Sequence, residues 1–341
     1  MPLTNPVARW LARVAIHLIG LGLLGRVLWV NRVSVGRVFA QKPAPWYLFL
    51  AFAICLSGLI TTFVRWMIVV RAQGLTLRFR DAIRVGFMGN AIDLVIPGQI
   101  GGDVFKASFL GRGQERKTKA VASILVDRAI GILGLFTLTA FMGALNWGTV
   151  PTEVRRLITV VWLAWFAGAM GLSAVLTPSL FRPLERRFSG RKRLGKLFAE
   201  LHEISVAYRD RKLAVVLGLA MSTVSHGLYA LSFYVVSLAL LPDPPSLVNN
   251  MLMVPLVLFS TVIPLPFGAL GLSEQVSDDL FRLLGHPAGA LTMLGFRVVS
   301  LVVTGISICV YILHSGEVAR QKTETSPVEP PCHPHSVLEN T

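Results

Sequence analysis

The chain has 341 residues, 53% of them hydrophobic, and a formal net charge of +15 at pH 7. Several stretches exceed the roughly 18 apolar residues needed to cross a bilayer, which excludes a soluble globular fold and specifies an all-α polytopic membrane protein. The positive charge would suggest nucleic acid in a soluble protein, but no basic folded domain is long enough here, so Lys and Arg mark cytoplasmic loops and anionic lipid head groups instead.

The first span is expected at 11–30, after Arg9 and Arg13. Val38-Phe39-Ala40 faintly resembles a signal-peptidase site, but Arg32 and Arg37 separate it from the apolar run, so an uncleaved anchor is expected. The second span covers 46–70. Arg65-Trp66 near its end suits an interfacial belt, with an inward-facing Arg65 as the alternative. A basic connector follows at 71–84.

The stretch 85–110 is unlike a span. It is apolar, yet holds Pro97, Gly98, Gly101, Gly102, Asp93, Asp103 and Lys106. Proline removes a backbone donor and glycine loosens the helix around it. In lipid such a break survives only where protein or a wet cavity covers it. A half-helix entering the membrane, a break at 97–102 and a second half-helix leaving on the same side are expected. A basic loop at 111–119, a third span at 120–145 carrying Asp127 and Arg128, and a fourth at 157–176 come next. The soluble segment 181–212 holds ten Lys or Arg against four acids. Leu194, Leu197, Phe198, Leu201 and Ile204 recur at helical spacing, so either an amphipathic surface helix or a solvated basic loop fits.

The fifth span is expected at 213–240, with His226 in it, followed by a charge-poor loop at 241–248. The segment 251–284 repeats the broken pattern, with Pro264, Pro266, Gly268 and Gly271 followed by Ser273 and Glu274. Val95-Ile96-Pro97 and Val262-Ile263-Pro264 match outright. The last span, 288–313, carries Arg297. The membrane domain therefore covers 1–314, and 315–341 is expected to be a disordered cytoplasmic tail. Cys332-His333-Pro334-His335 in that tail offers too few ligands to close a structural metal site. The cysteines Cys55, Cys309 and Cys332 give no disulfide framework.

The charge distribution puts 181–212 in the cytoplasm and 241–248 outside. Counting spans from there places both termini in the cytoplasm and inserts the two hairpins from opposite sides. The fold expected is six full spans plus two oppositely oriented re-entrant broken-helix hairpins, an inverted repeat of the kind that builds transporter sites. The charges repeat too: Arg128 follows Asp103 by 25 residues, and Arg297 follows Glu274 by 23.

A charge at mid-membrane costs about 2.5–3.5 kcal/mol or more, so Arg128 and Arg297 must face a partner or a cavity. Each can pin its own hairpin by pairing with that repeat's acid. Guanidinium also matches phosphate in a bidentate way. Helix N-termini after Gly102 and Gly271 would add N–H donors for an anion, with Asp103 and Ser273 at N-cap positions. Asn90 and Asp93 share one face of the incoming half-helix, and Lys106 lies one turn beyond Asp103. No catalytic set, cofactor site or metal site is expected: the His residues do not cluster, and neither a zinc-protease helix nor a phosphate-loop Lys is present.

The motifs NxxDxxIPGxxGGDxxKxxxL at 90–110, VDRxxG at 126–131 and VIPxPxGxLGxxE at 262–274 resemble those of the lysylphosphatidylglycerol synthase transmembrane-region family, also called flippase-like domain proteins. The likeness runs from about residue 11 to 313. It implies an inner-membrane protein of bacteria, or its archaeal equivalent, that handles lipids. In fused members the domain moves aminoacylated phosphatidylglycerol between leaflets; stand-alone members are tied to phospholipid, polyprenyl-lipid or hopanoid handling. The aminoacyl-transfer domain is absent from this sequence, so lysine transfer is not expected. The motif residues carried over are Asn90, Pro97, Gly102, Asp103, Lys106 and Arg128, then Pro264, Gly268, Gly271, Glu274 and Arg297, with Lys106 where the family commonly has Arg. The function expected is a lipid flippase or lipid-transport facilitator for an anionic phospholipid or a polyprenyl- or hopanoid-type lipid. The partners expected are membrane lipids and a lipid-biosynthetic enzyme. The alternatives are a non-transporting accessory protein of lipid or cell-envelope biosynthesis, docking through 181–212, and an intramembrane lipid-modifying enzyme.

Overall fold

The structure, a computed structural model, describes residues 44–95, 100–111, 117–179, 192–209, 211–262 and 269–323, with a few isolated positions besides. The expected first span, most of the tail, and the breaks with Pro97, Gly98, Pro264, Pro266 and Gly268 lie outside the described residues. Within them the chain is helical, with no strand.

The helices are α1 (Pro45–Ala72), α2 (Phe79–Val95), α3 (Ile100–Leu110), α4 (Lys117–Leu145), α5 (Thr152–Val175), α6 (Lys192–Tyr208), α7 (Lys212–Leu240), α8 (Leu247–Ser260), α9 (Leu272–Arg282) and α10 (Gly289–Thr323). Five of them, α1, α4, α5, α7 and α10, are long and apolar enough to cross a membrane. Helix α1 opens with Pro45, whose fixed φ and missing N–H suit a first turn. It ends where Gly74 takes a φ of 80°. Helices α2 and α8 have 17 and 14 residues, and α3 and α9 have 11 each. At about 1.5 Å per residue none reaches the roughly 30 Å of a hydrocarbon core. Each pair is the broken segment expected from its Pro and Gly residues.

Two boundaries differ from expectation. Helix α2 starts at Phe79, inside the stretch expected to be a basic connector. The arginines Arg78, Arg80 and Arg84 mask its apolar face, which buries Ala82 and Val85. Helix α10 continues to Thr323, past the expected start of the tail at 315.

The packing has an exchange symmetry. Substituting α7, α8, α9 and α10 for α1, α2, α3 and α4, and the reverse, turns the set of packed helix pairs into itself. Thus α1 on α2 corresponds to α7 on α8, α3 on α4 to α9 on α10, and α2 on α10 to α8 on α4, while α1 packs on α7 as its own counterpart. Helices α5 and α6 stand outside the repeat and pack on α4 and on each other. Val160, Leu163, Phe166 and Met170 of α5 point outward, a surface that suits lipid.

Each hairpin has its own apolar support. Trp66, Met67 and Val70 of α1 pack with Val85 of α2, Leu110 of α3 and Ala120 of α4. On the other side Phe233 of α7 lies 5.7 Å from the rings of both Phe281 on α9 and Phe296 on α10. Such aromatic pairs contribute about 0.5–1.5 kcal/mol beyond their buried area, so α9 is held firmly against the second half. Tyr208 ties the end of α6 to the bundle by donating to the Val69 carbonyl at 3.1 Å, and burial raises its phenol above the ordinary pKa.

Candidate functional site

The first hairpin closes through a contact between its two arms. The Gly102 N–H at the start of α3 donates to Asp93 Oδ1 of α2 at 2.8 Å. Only glycine fits there: a Cβ on Gly102 would lie 2.5 Å from Asp93 Oδ2 and 2.6 Å from the Gly89 carbonyl oxygen. Asp103 lies inside the first turn of α3 rather than at the cap, and its carboxylate pairs with Arg128 of α4. Lys106 Nζ lies 4.0 Å from Asp103 and 5.4 Å from the centre of the Trp66 ring. Asn90 donates to Ser307 Oγ of α10 at 3.0 Å, linking the first hairpin to the second half.

The second hairpin is tied locally. Gly271 has a φ of 85°, a conformation that glycine adopts at little cost. Its N–H donates to Glu274 Oε2 at 2.6 Å. Arg297 of α10 binds Glu274 Oε1 through Nε and Ser273 Oγ through Nη2, both at 2.6 Å. Glu274 is fully buried. Ser273 is therefore not the N-cap. At each of the two helix starts one N–H, that of Gly102 and that of Gly271, is taken by the chain's own carboxylate.

A third ion pair joins Asp127, from the motif at 126–131, to an arginine outside every motif. Arg65 of α1 makes a two-pronged contact with Asp127 of α4, at 2.9 and 3.0 Å, and donates to Ser222 Oγ of α7 at 2.9 Å. Arg65 and Asp127 are each 8% exposed, so the interfacial placement of Arg65 gives way to the inward one. Trp66 is buried with it. The Gly131 carbonyl accepts from Ser222 Oγ and lies 3.1 Å from His226 Nε2, which must carry the ring proton to donate there. With a Cβ 3.2 Å from Arg65 Nη1, any larger residue at Gly131 would crowd the guanidinium.

These groups surround one cavity of about 470 Å³ between α1, α2, α3, α4, α7, α8 and α10. Of the residues expected at a site, Asn90, Asp93, Asp103, Lys106, Arg128 and Arg297 line it. Gly102, Gly271 and Glu274 do not; they shape the hairpins behind it. Gly101 is buried at the start of α3. Arg65, Asp127 and His226 join the lining. The volume falls in the range of about 300–1,000 Å³ usual for small-molecule sites. Three guanidinium–carboxylate pairs and an ammonium group facing one space can hold an anion while offsetting the cost of charge in the membrane. Among the described residues no three His, Cys, Asp or Glu side chains gather as a metal site would require.

The family model described as lysylphosphatidylglycerol synthase TM region matches residues 10–307. No curated protein and no solved structure matches the chain. The match takes in both broken helix pairs and all three ion pairs. The chain is a multi-pass membrane protein and belongs to the lysylphosphatidylglycerol synthase TM-region family, whose members act in lipid-related processes.

Proposed function

We propose that this chain is a lipid flippase or transport facilitator that carries an anionic head group between leaflets through the cavity, acyl chains remaining in the bilayer. The observation that carries this reading is the convergence of Arg65, Lys106, Arg128 and Arg297 from both halves on one cavity flanked by two broken helix pairs. Guanidinium groups suit phosphate, because two parallel N–H donors match two of its oxygens. The short helices and the exchangeable packing support two re-entrant hairpins inserted from opposite sides, within a frame of six spans. Such a frame rocks about a central site. The basic segment 181–212 supports cytoplasmic termini, and membership of the family supports a bacterial inner-membrane location. We assign the chain no catalytic role.

The test is leaflet exchange in vesicles that hold the purified, folded protein. Labelled phosphatidylglycerol should exchange well above the protein-free rate, and a labelled phosphatidylcholine, whose head group carries no net charge, should exchange more slowly. Failure to move any lipid would overturn the transport reading.

A further inference from the structure

The charges around the cavity balance. Arg65, Lys106, Arg128 and Arg297 face Asp93, Asp103 and Asp127, with Glu274 behind Arg297. Three of the four carboxylates are each held by an arginine: Asp103 by Arg128, Asp127 by Arg65 and Glu274 by Arg297. Asp93 differs. Among the described residues it forms no ion pair, and its hydrogen bond is to the neutral Gly102 N–H. The charged groups that act on it are Lys106 and Asp103 from α3 and Arg128 from α4. Helix α2 also packs on α1 and α10, whose charged cavity groups are Arg65 and Arg297. The remaining titratable lining groups are Cys55 on α1 and His226 and Tyr229 on α7.

A phosphodiester brings one negative charge. In a charge-balanced cavity within the membrane that charge is uncompensated unless a carboxylate becomes neutral. Protonating Asp103, Asp127 or Glu274 would strand an arginine. Protonating Asp93 strands nothing. A carboxylic acid still offers its carbonyl oxygen to the Gly102 N–H, so the tie between the hairpin arms survives, and the cavity is left with one net positive charge for the ligand.

We propose that anion binding is coupled to uptake of one proton by Asp93, which makes the protein a proton–anion symporter. The idea rests on the lipid-transport reading above. The proton comes from the aqueous phase facing the open cavity and forms an O–H bond on the Asp93 carboxylate. No bond in the ligand changes. On the far side the anion and the proton both leave, and Asp93 returns to its carboxylate.

The experiment is calorimetric titration of the full chain in detergent with dihexanoyl phosphatidylglycerol, at one pH, in HEPES and in Tris, buffers of different ionisation enthalpy. The wild-type heats should differ by the amount for about one proton taken up per ligand. Affinity should fall about tenfold per pH unit wherever Asp93 is ionised in the free protein. Asp93→Asn, which keeps an oxygen for Gly102, should bind with no proton uptake and little pH dependence. If that variant does not fold, Asp93→Glu should retain the uptake. Wild-type binding with no proton uptake overturns the coupling while leaving the transport reading intact. So does uptake that persists in folded Asp93→Asn. An absence of binding by folded wild type would instead remove the anion site itself, and the coupling with it.

Discussion

The two hairpins share a motif and use it differently. In the second, Glu274 is fully buried and Arg297 is 16% exposed, and the acid is bound within its own turn by Gly271 and beside Ser273. In the first, Asp103 and Arg128 are 20% and 36% exposed, Lys106 stands close by, and the helix start is held from the opposite arm by Asp93. One copy is a closed knot packed on the Phe233–Phe281–Phe296 cluster. The other is open to the cavity, and among the described residues one hydrogen bond, from Gly102 to Asp93, joins its arms. A repeated sequence is thus buried in one copy and exposed to the cavity in the other, and the two should respond differently to the same chemical change.

The largest effect should come from the knot. Glu274→Gln leaves Arg297 without its counter-charge in a dry site, a loss of about 3–5 kcal/mol, seen as a large drop in thermal unfolding temperature in detergent. A drop no larger than that of Asp103→Asn would break the contrast. Asp127→Asn should follow at about 3 kcal/mol, because Arg65 is as deeply buried but keeps its bond to Ser222. Gly102→Ala should cost about 1–3 kcal/mol through overpacking against Asp93 and the Gly89 backbone, and should make the first hairpin more open to proteolysis. An alanine tolerated there at no cost would show that the arms are not in close contact. Asp103→Asn should be the mildest, about 1 kcal/mol, since Arg128 is about a third exposed and faces the cavity. Its lipid exchange should nevertheless fall at least tenfold, a separation of stability from activity that Glu274→Gln cannot show.

Much of this was legible in the chain. Proline and glycine inside apolar runs mark helix breaks because lipid offers no partner for a freed carbonyl, and both broken pairs lie where Pro97 and Pro264 put them. The acid–arginine pairs were legible because each joins a hairpin to the span that follows it at nearly equal spacing. The Arg65–Asp127 pair was not. Asp127 belongs to the motif at 126–131, but its partner lies 62 residues away on another helix and outside every motif, and an arginine beside a tryptophan near a span end also fits the interface. The tie from Asp93 to Gly102 was hidden for another reason: caps are usually supplied from within the same turn, whereas this one comes from the preceding helix. The start of α2 was obscured by arginines that suggest a loop while the helix buries its other face.

The most direct measurement compares leaflet exchange of labelled phosphatidylglycerol in vesicles holding wild type with that of Asp103→Asn/Arg128→Gln. The double change removes Arg128 together with the acid it pairs with, so the cavity keeps its net charge, and Lys106, which loses its nearest acid, keeps its place over the Trp66 ring; the fold should persist. Rapid exchange by wild type and a near-background rate for the folded variant are the predicted result. Equal rates for the two proteins would contradict the assignment of transport to the cavity face of the first hairpin.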